Sequence, residues 1–104
     1  MGMGNLQRMA LQMQQQMERI QAELAVSEVE GSAGGGVVRA VVTGKQALVS
    51  VTIDPAAVDP DDVEMLQDLV TAAVNDALAG SRRLADEKMG RLTAMTGLSG
   101  RLGR

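Results

Sequence analysis

The side chains best placed to do chemistry in this sequence are basic. Arg82, Arg83, Lys88 and Arg91 gather toward the C-terminal end. Arginine and lysine bind phosphate by charge, arginine also through a planar fork of donors, and engaging a nucleic acid releases condensed counterions. On a helix, Arg82 and Arg83 point about 100° apart, whereas Lys88 and Arg91 share a face. Taken alone, the cluster also fits a solvated helix end that complements the negative pole of the helix dipole. Arg101 and Arg104 sit in a glycine-rich tail, where they either add phosphate attraction or stand inert. Arg8 is a further candidate DNA contact. Arg19 lies at helical spacing from Glu23, which makes it a potential ion-pair partner instead. Lys45 reads as a solvated turn residue.

Catalysis has little to work with. The chain has no cysteine and no histidine, which removes disulfides, thiolate chemistry, the commonest general base and the commonest zinc ligand. No convergent carboxylate pair replaces them, so neither enzyme nor cofactor is expected. Met9, Met13 and Met17 could serve as soft ligands or an adaptable surface, but their helical spacing reads as core. Asp59, Asp61, Asp62 and Glu64 lack the spacing of a calcium loop and read as helix capping. Gly34-Gly-Gly36 is followed by no Lys-Ser/Thr pair and no helix start, so it is not a phosphate loop. Asn75-Asp76 lies inside a helix with no nucleophile near it. The chain has no Phe, Tyr or Trp, so aromatic stacking on single-stranded bases is excluded. Duplex DNA held through its backbone fits better.

Helices must position these groups. Leu6, Met9, Met13, Met17, Ile20 and Leu24 form a stripe that predicts a helix over about 3–26. Val26–Glu30 then predicts a short strand, 31–36 a glycine turn, Val37–Thr43 a second strand, Gly44-Lys45 a tight turn, and Ala47–Ile53 a third strand. Short glycine-bearing turns imply antiparallel hairpins. Asp54-Pro55 ends the sheet. Asp59 reads as the N-cap of a second helix with Pro60 at its first position. An apolar stripe from Val63 through Leu78, continued by Leu84, Met89, Leu92 and Met95, carries that helix to about residue 96. The fold class expected is α+β: helix, three-stranded antiparallel sheet, long C-terminal helix.

Length and charge add two constraints. The chain has 104 residues and a net charge of −3. The charge is uneven. From Arg82 onward six basic side chains face two acidic ones, a balance of +4, and the rest carries four basic against eleven acidic, a balance of −7. A helix over 60–95 measures about 54 Å and the first about 36 Å, whereas a compact domain of this size has a radius of gyration near 13 Å. The helices therefore overshoot their own sheet as protruding arms. The middle strand is largely apolar on both faces, Val38/Ala40/Val42 and Val37/Arg39/Val41. One chain has too few elements to cover both, so a second copy is expected. Nothing at the N-terminus resembles a secretory signal and no apolar run nears the roughly 18 residues of a membrane span, so a cytosolic protein is expected.

The ordered run Val51-Thr-Ile-Asp-Pro55, then Glu64-Met-Leu-Gln-Asp-Leu-Val70 and Ala72-Ala-Val-Asn-Asp-Ala77, resembles the YbaB/EbfC family of bacterial nucleoid-associated proteins. Leu11-Gln-Met-Gln-Gln-Gln-Met17 is similar as well. The resemblance covers about residues 4–98, leaving 99–104 as a basic tail. It implies an intertwined homodimer with paired helical arms projecting from a shared sheet body, duplex-DNA binding, and a place on the nucleoid in the cytoplasm. The chain departs from the family in carrying only Arg8 and Arg19 on its first helix, where members carry several lysines. The expected function is non-enzymatic duplex-DNA binding through the phosphate backbone by Arg82, Arg83, Lys88, Arg91, Arg8, Arg101 and Arg104, with limited sequence preference and no membrane or small-molecule partner. The alternative is a protein-interaction adaptor that uses Met-rich helical arms.

Overall fold

The apolar alternation of the middle strand sets the sheet. The computed structural model describes residues 2–96 as α1 (Gly2–Val26), β1 (Glu28–Ala33), β2 (Val38–Thr43), β3 (Leu48–Ile53) and α2 (Val63–Thr96). The sheet is antiparallel in the order β1-β2-β3. Gly34, Gly35 and Gly36 all have positive φ, from 64° to 98°, in the turn that joins β1 to β2. Only glycine adopts a run of such angles without steric cost. The β2–β3 hairpin closes through a bond from the Gln46 amide to the Thr43 carbonyl (3.0 Å), with Gln46 in the left-handed region. Thr43 Oγ1 also accepts from the amides of Lys45 and Ala47, both at 3.2 Å. This is a type I turn followed by one left-handed residue. Downstream, the Asp54 carboxylate accepts from the Ala56 amide (3.0 Å) ahead of a 3-10 turn led by Pro55, which ends β3.

Helix α2 lies across β1 and β2 and scarcely touches β3. The contact face is built of small residues: Ala73, Ala77 and Ser81 are fully buried, and they meet Val38, Ala40 and Val42 of β2, also fully buried. Burying a valine side chain contributes about 1.5–3 kcal/mol. Without aromatic rings the layer is thin, and backbone meets backbone. A Cβ at Gly31 would stand 2.2 Å from the Ala77 nitrogen and 2.6 Å from the Ala73 oxygen. Gly31 therefore belongs to β1, not to the turn the sequence predicts, because only a hydrogen fits beneath the helix. Ser81 Oγ donates to the Thr43 carbonyl at 2.8 Å, satisfying the buried hydroxyl. Asp76 accepts from the Ser32 amide (3.0 Å), tying α2 to the outer edge of β1.

Two further boundaries differ from expectation. The second helix starts at Val63, with Asp62 Oδ1 accepting from the Met65 amide (3.1 Å) as its N-cap. Asp59 instead closes the preceding turn, accepting from the Asp61 amide at 2.9 Å. In β3, a bulge opposite Val41 and Val42 skips Val49, so the simple alternation expected from Ala47 to Ile53 breaks. The molecule is long: its extents are 73 × 29 × 16 Å and its radius of gyration is 19.6 Å, against about 13 Å for a compact chain of similar length.

Candidate nucleic-acid interface

The length of the molecule comes from its two helices, which leave the sheet together. The C-terminal end of α1 is seated on the β2–β3 turn. Leu24 is buried, and a Cβ at Gly44 would lie 2.7 Å from the Leu24 carbonyl oxygen. The Gly44 amide donates to the Ser27 carbonyl at 3.1 Å. Helix α2 leaves the sheet beyond Ser81. From there the two helices run antiparallel, with Glu23 opposite Lys88, and with Gln16 and Ile20 beside Arg91 and Leu92. Leu92 is buried at this crossing. Farther out along α1, Met3, Leu6, Met9 and Leu11 are 72, 62, 63 and 55% exposed. Met13, Met17 and Ile20 are half-buried. Among the described residues, the stripe read from the sequence as core is thus covered only at its inner end.

The basic residues are distributed along this projection. Arg82, Arg83 and Arg91 are exposed and Lys88 is half-buried. At about 100° per residue, Lys88 and Arg91 share one flank of α2, beside α1, while Arg82 and Arg83 point elsewhere. Arg82 and Arg91 are on opposite sides. Arg83 borders a shallow depression against the edge of β1, together with Glu28, Val29, Glu30, Gly80, Leu84 and Glu87. Arg8 is exposed on the outer half of α1, about 18 Å along the helix from Ile20. Arg101 and Arg104 lie outside the described residues. The cluster is therefore spread around the root and shaft of an arm rather than collected on one face.

Among the described residues one ion pair forms, Lys88 Nζ to Glu23 Oε1 at 3.1 Å, with the two side chains 21 and 48% exposed. Arg19 is exposed and does not pair with Glu23. The cleft between the helices is lined by Gln16, Ile20, Glu23, Lys88, Arg91 and Leu92, two cations to one carboxylate. Glu23 was visible in the sequence only as a neighbour of Arg19. Its contact with Lys88 spans 65 positions, and no local pattern marks it. The sheet also carries an exposed cation, Arg39, directly opposite Ser32 on one side and Thr52 on the other. It stands on the face that α2 does not cover, where Val41 is half-buried. Val37, which the sequence puts on that face, precedes β2 in a helical conformation and packs against the core instead. Among the described residues, no helix is long and apolar enough to cross a membrane.

Comparison with known proteins gives this arrangement a family. A solved structure of an uncharacterized protein from Helicobacter pylori matches with a TM-score of 0.67, covering 92% of this chain and 97% of that one at 21% identity, which shows a shared fold. A protein of Moorella thermoacetica is 52% identical over 103 residues, covering 96% of this chain and 99% of its own length. Relatives in Chloroflexus aurantiacus, at 50% identity with 96 and 98% covered, and Saccharopolyspora erythraea, at 54% with 92 and 85% covered, are similar to the same extent. All three are named nucleoid-associated proteins. The model of the YbaB/EbfC DNA-binding family matches residues 1–96, and the chain belongs to that family.

Proposed function

We propose that this protein is a non-enzymatic, nucleoid-associated duplex-DNA binder that acts as a homodimer in the cytoplasm and holds DNA mainly by its phosphate backbone, with limited sequence preference. The observation that carries this reading is the match to a DNA-binding family over residues 1–96. The geometry supports it. The arm presents Arg8, Arg82 and Arg91 exposed and free of ion pairs among the described residues. Such arginines bind phosphate without regard to sequence. Support for the homodimer comes from two surfaces that no other described residue covers, the outer stripe of α1 and the sheet face opposite α2. A second copy packed on them would form the shared body of a domain spanning about residues 4–98, with 99–104 as a basic tail.

The test is fluorescence anisotropy of a random duplex at two salt concentrations, with a solution mass measured in parallel. Backbone binding predicts that log K falls with log salt at a slope of about 0.9 per phosphate neutralised. Changing Arg82, Arg83, Lys88 and Arg91 together to alanine is expected to weaken binding and flatten that slope while leaving the mass unchanged. Equal affinity in the quadruple variant would show that other residues hold the DNA. A single-chain mass would remove the dimer. A second reading, a protein-interaction adaptor, is favoured by the exposed Leu6 and Met9 at the outer end of the α1 stripe. It predicts salt-insensitive capture of a protein and no affinity for duplex.

A further inference from the structure

The cleft between α1 and α2 sets two cations against one carboxylate. Lys88 and Arg91 share a flank of α2 and face Gln16 and Glu23 of α1. Glu23 Oε1 is 3.1 Å from Lys88 Nζ, and the lysine is the more buried of the two at 21% exposed. Arg91, one turn farther along the same flank, has no acid of its own among the described residues. A carboxylate oxygen at hydrogen-bond distance from an ammonium occupies the position that a phosphate oxygen would take. Remove its charge and the cleft becomes an ammonium, a guanidinium and an amide, all able to donate to one anion.

We infer that Glu23 is an internal stand-in for a DNA phosphate, which holds Lys88 out of the contact set and thereby sets the affinity of the arm for duplex DNA. This rests on the nucleic-acid reading above. In the resting protein Lys88 has already exchanged its counterion for Glu23. Engaging DNA through Lys88 must first break that pair, so the lysine contributes little net attraction and releases no counterion. Arg91, unpaired, makes its contact at full strength. The arm accordingly has one cation in use and one in reserve within the same cleft. Any change that neutralises Glu23 or draws it away would bring the second into play.

The experiment uses the full chain and a random duplex labelled for anisotropy, titrated across a range of salt. Glu23→Gln keeps the shape and removes the charge. It is expected to bind about fivefold more tightly at low salt and to steepen the dependence of log K on log salt by about 0.9 for each chain engaged. Lys88→Met alone is expected to change little. Combined with Glu23→Gln it should abolish the gain. Glu18→Gln, at an exposed acid on the same helix, controls for net charge and should leave both affinity and slope within twofold of the parent. Thermal unfolding followed by circular dichroism verifies that each variant is folded. The inference is overturned if Glu23→Gln leaves the slope unchanged, if its gain survives in the Lys88→Met background, or if Glu18→Gln matches it. If the parent itself shows no salt-sensitive binding to duplex, the nucleic-acid reading fails and this one falls with it.

Discussion

A single methyl group, added at two different glycines, should move stability in opposite directions. Gly31 lies in β1 beneath α2, and a Cβ there would meet the Ala77 nitrogen at 2.2 Å, the Ala73 oxygen at 2.6 Å and the Ala77 Cα at 2.7 Å. Carbon contacts are comfortable at about 3.5–4.0 Å, so the helix backbone must retreat by about 1 Å. That separation opens the layer in which Val38, Ala40, Val42, Ala73 and Ala77 are fully buried. Overpacking of this kind costs about 1–3 kcal/mol, and the obstacle is main chain, which cannot rotate aside, so we place Gly31→Ala near the upper end. Gly90 lies in the exposed part of α2 with nothing within 4 Å of a Cβ. Alanine there relieves the helix penalty of glycine, a gain of about 0.5–1 kcal/mol. At about 4–8 °C per kcal/mol for a domain approaching this size, Gly31→Ala should lower Tm by about 10–20 °C and Gly90→Ala should raise it by about 2–8 °C. Circular dichroism melts at one fixed protein concentration, since self-association shifts Tm, would read both. Backbone propensity alone predicts gains at both sites. A Gly31→Ala midpoint within 3 °C of the parent would therefore refute the close seating of α2 on β1.

Two other substitutions test the same architecture. Ser81→Ala removes the donor to the Thr43 carbonyl, a bond of 2.8 Å at a buried position. It should cost about 1 kcal/mol in urea unfolding with an unchanged m value. At the start of α2, Asp62→Ala should cost about 1 kcal/mol by removing the N-cap. Asp59→Ala, which disturbs only the preceding turn, should cost less, and the reverse order would place the helix start three residues earlier. On the functional side, the quadruple alanine variant and the Glu23 series described above separate total charge from the use of particular cations.

Much of this protein could be read directly from the order of its residues. The period of Leu6, Met9, Met13, Met17, Ile20 and Leu24 marked out α1, and the apolar stripe after Val63 marked out a helix that runs to Thr96. Both signals are local, because each turn of a helix repeats the same demand on neighbouring residues. The excess length of those helices over the sheet followed from rise per residue alone, and the extents of the molecule agree with it. So did the family, since Val51-Thr-Ile-Asp-Pro55 and the runs after it form a contiguous pattern that a family match bears out.

What required the tertiary structure is everything settled by the meeting of distant segments. Gly31 looked like one more turn glycine beside Gly34, Gly35 and Gly36, and only the approach of Ala73 and Ala77 makes it a strand residue. The angles of Arg82, Arg83, Lys88 and Arg91 about a helix axis were calculable, but which angle faces α1 depends on where Leu92 is buried. That packing sends Lys88 to Glu23, 65 positions away, and leaves Arg91 open. Periodicity fixes a side chain's direction relative to its own helix. Its partners and its access to a ligand follow from the orientation of that helix against the rest of the chain, which is chosen by burying the largest apolar area without clash and leaves no trace in any short stretch of sequence.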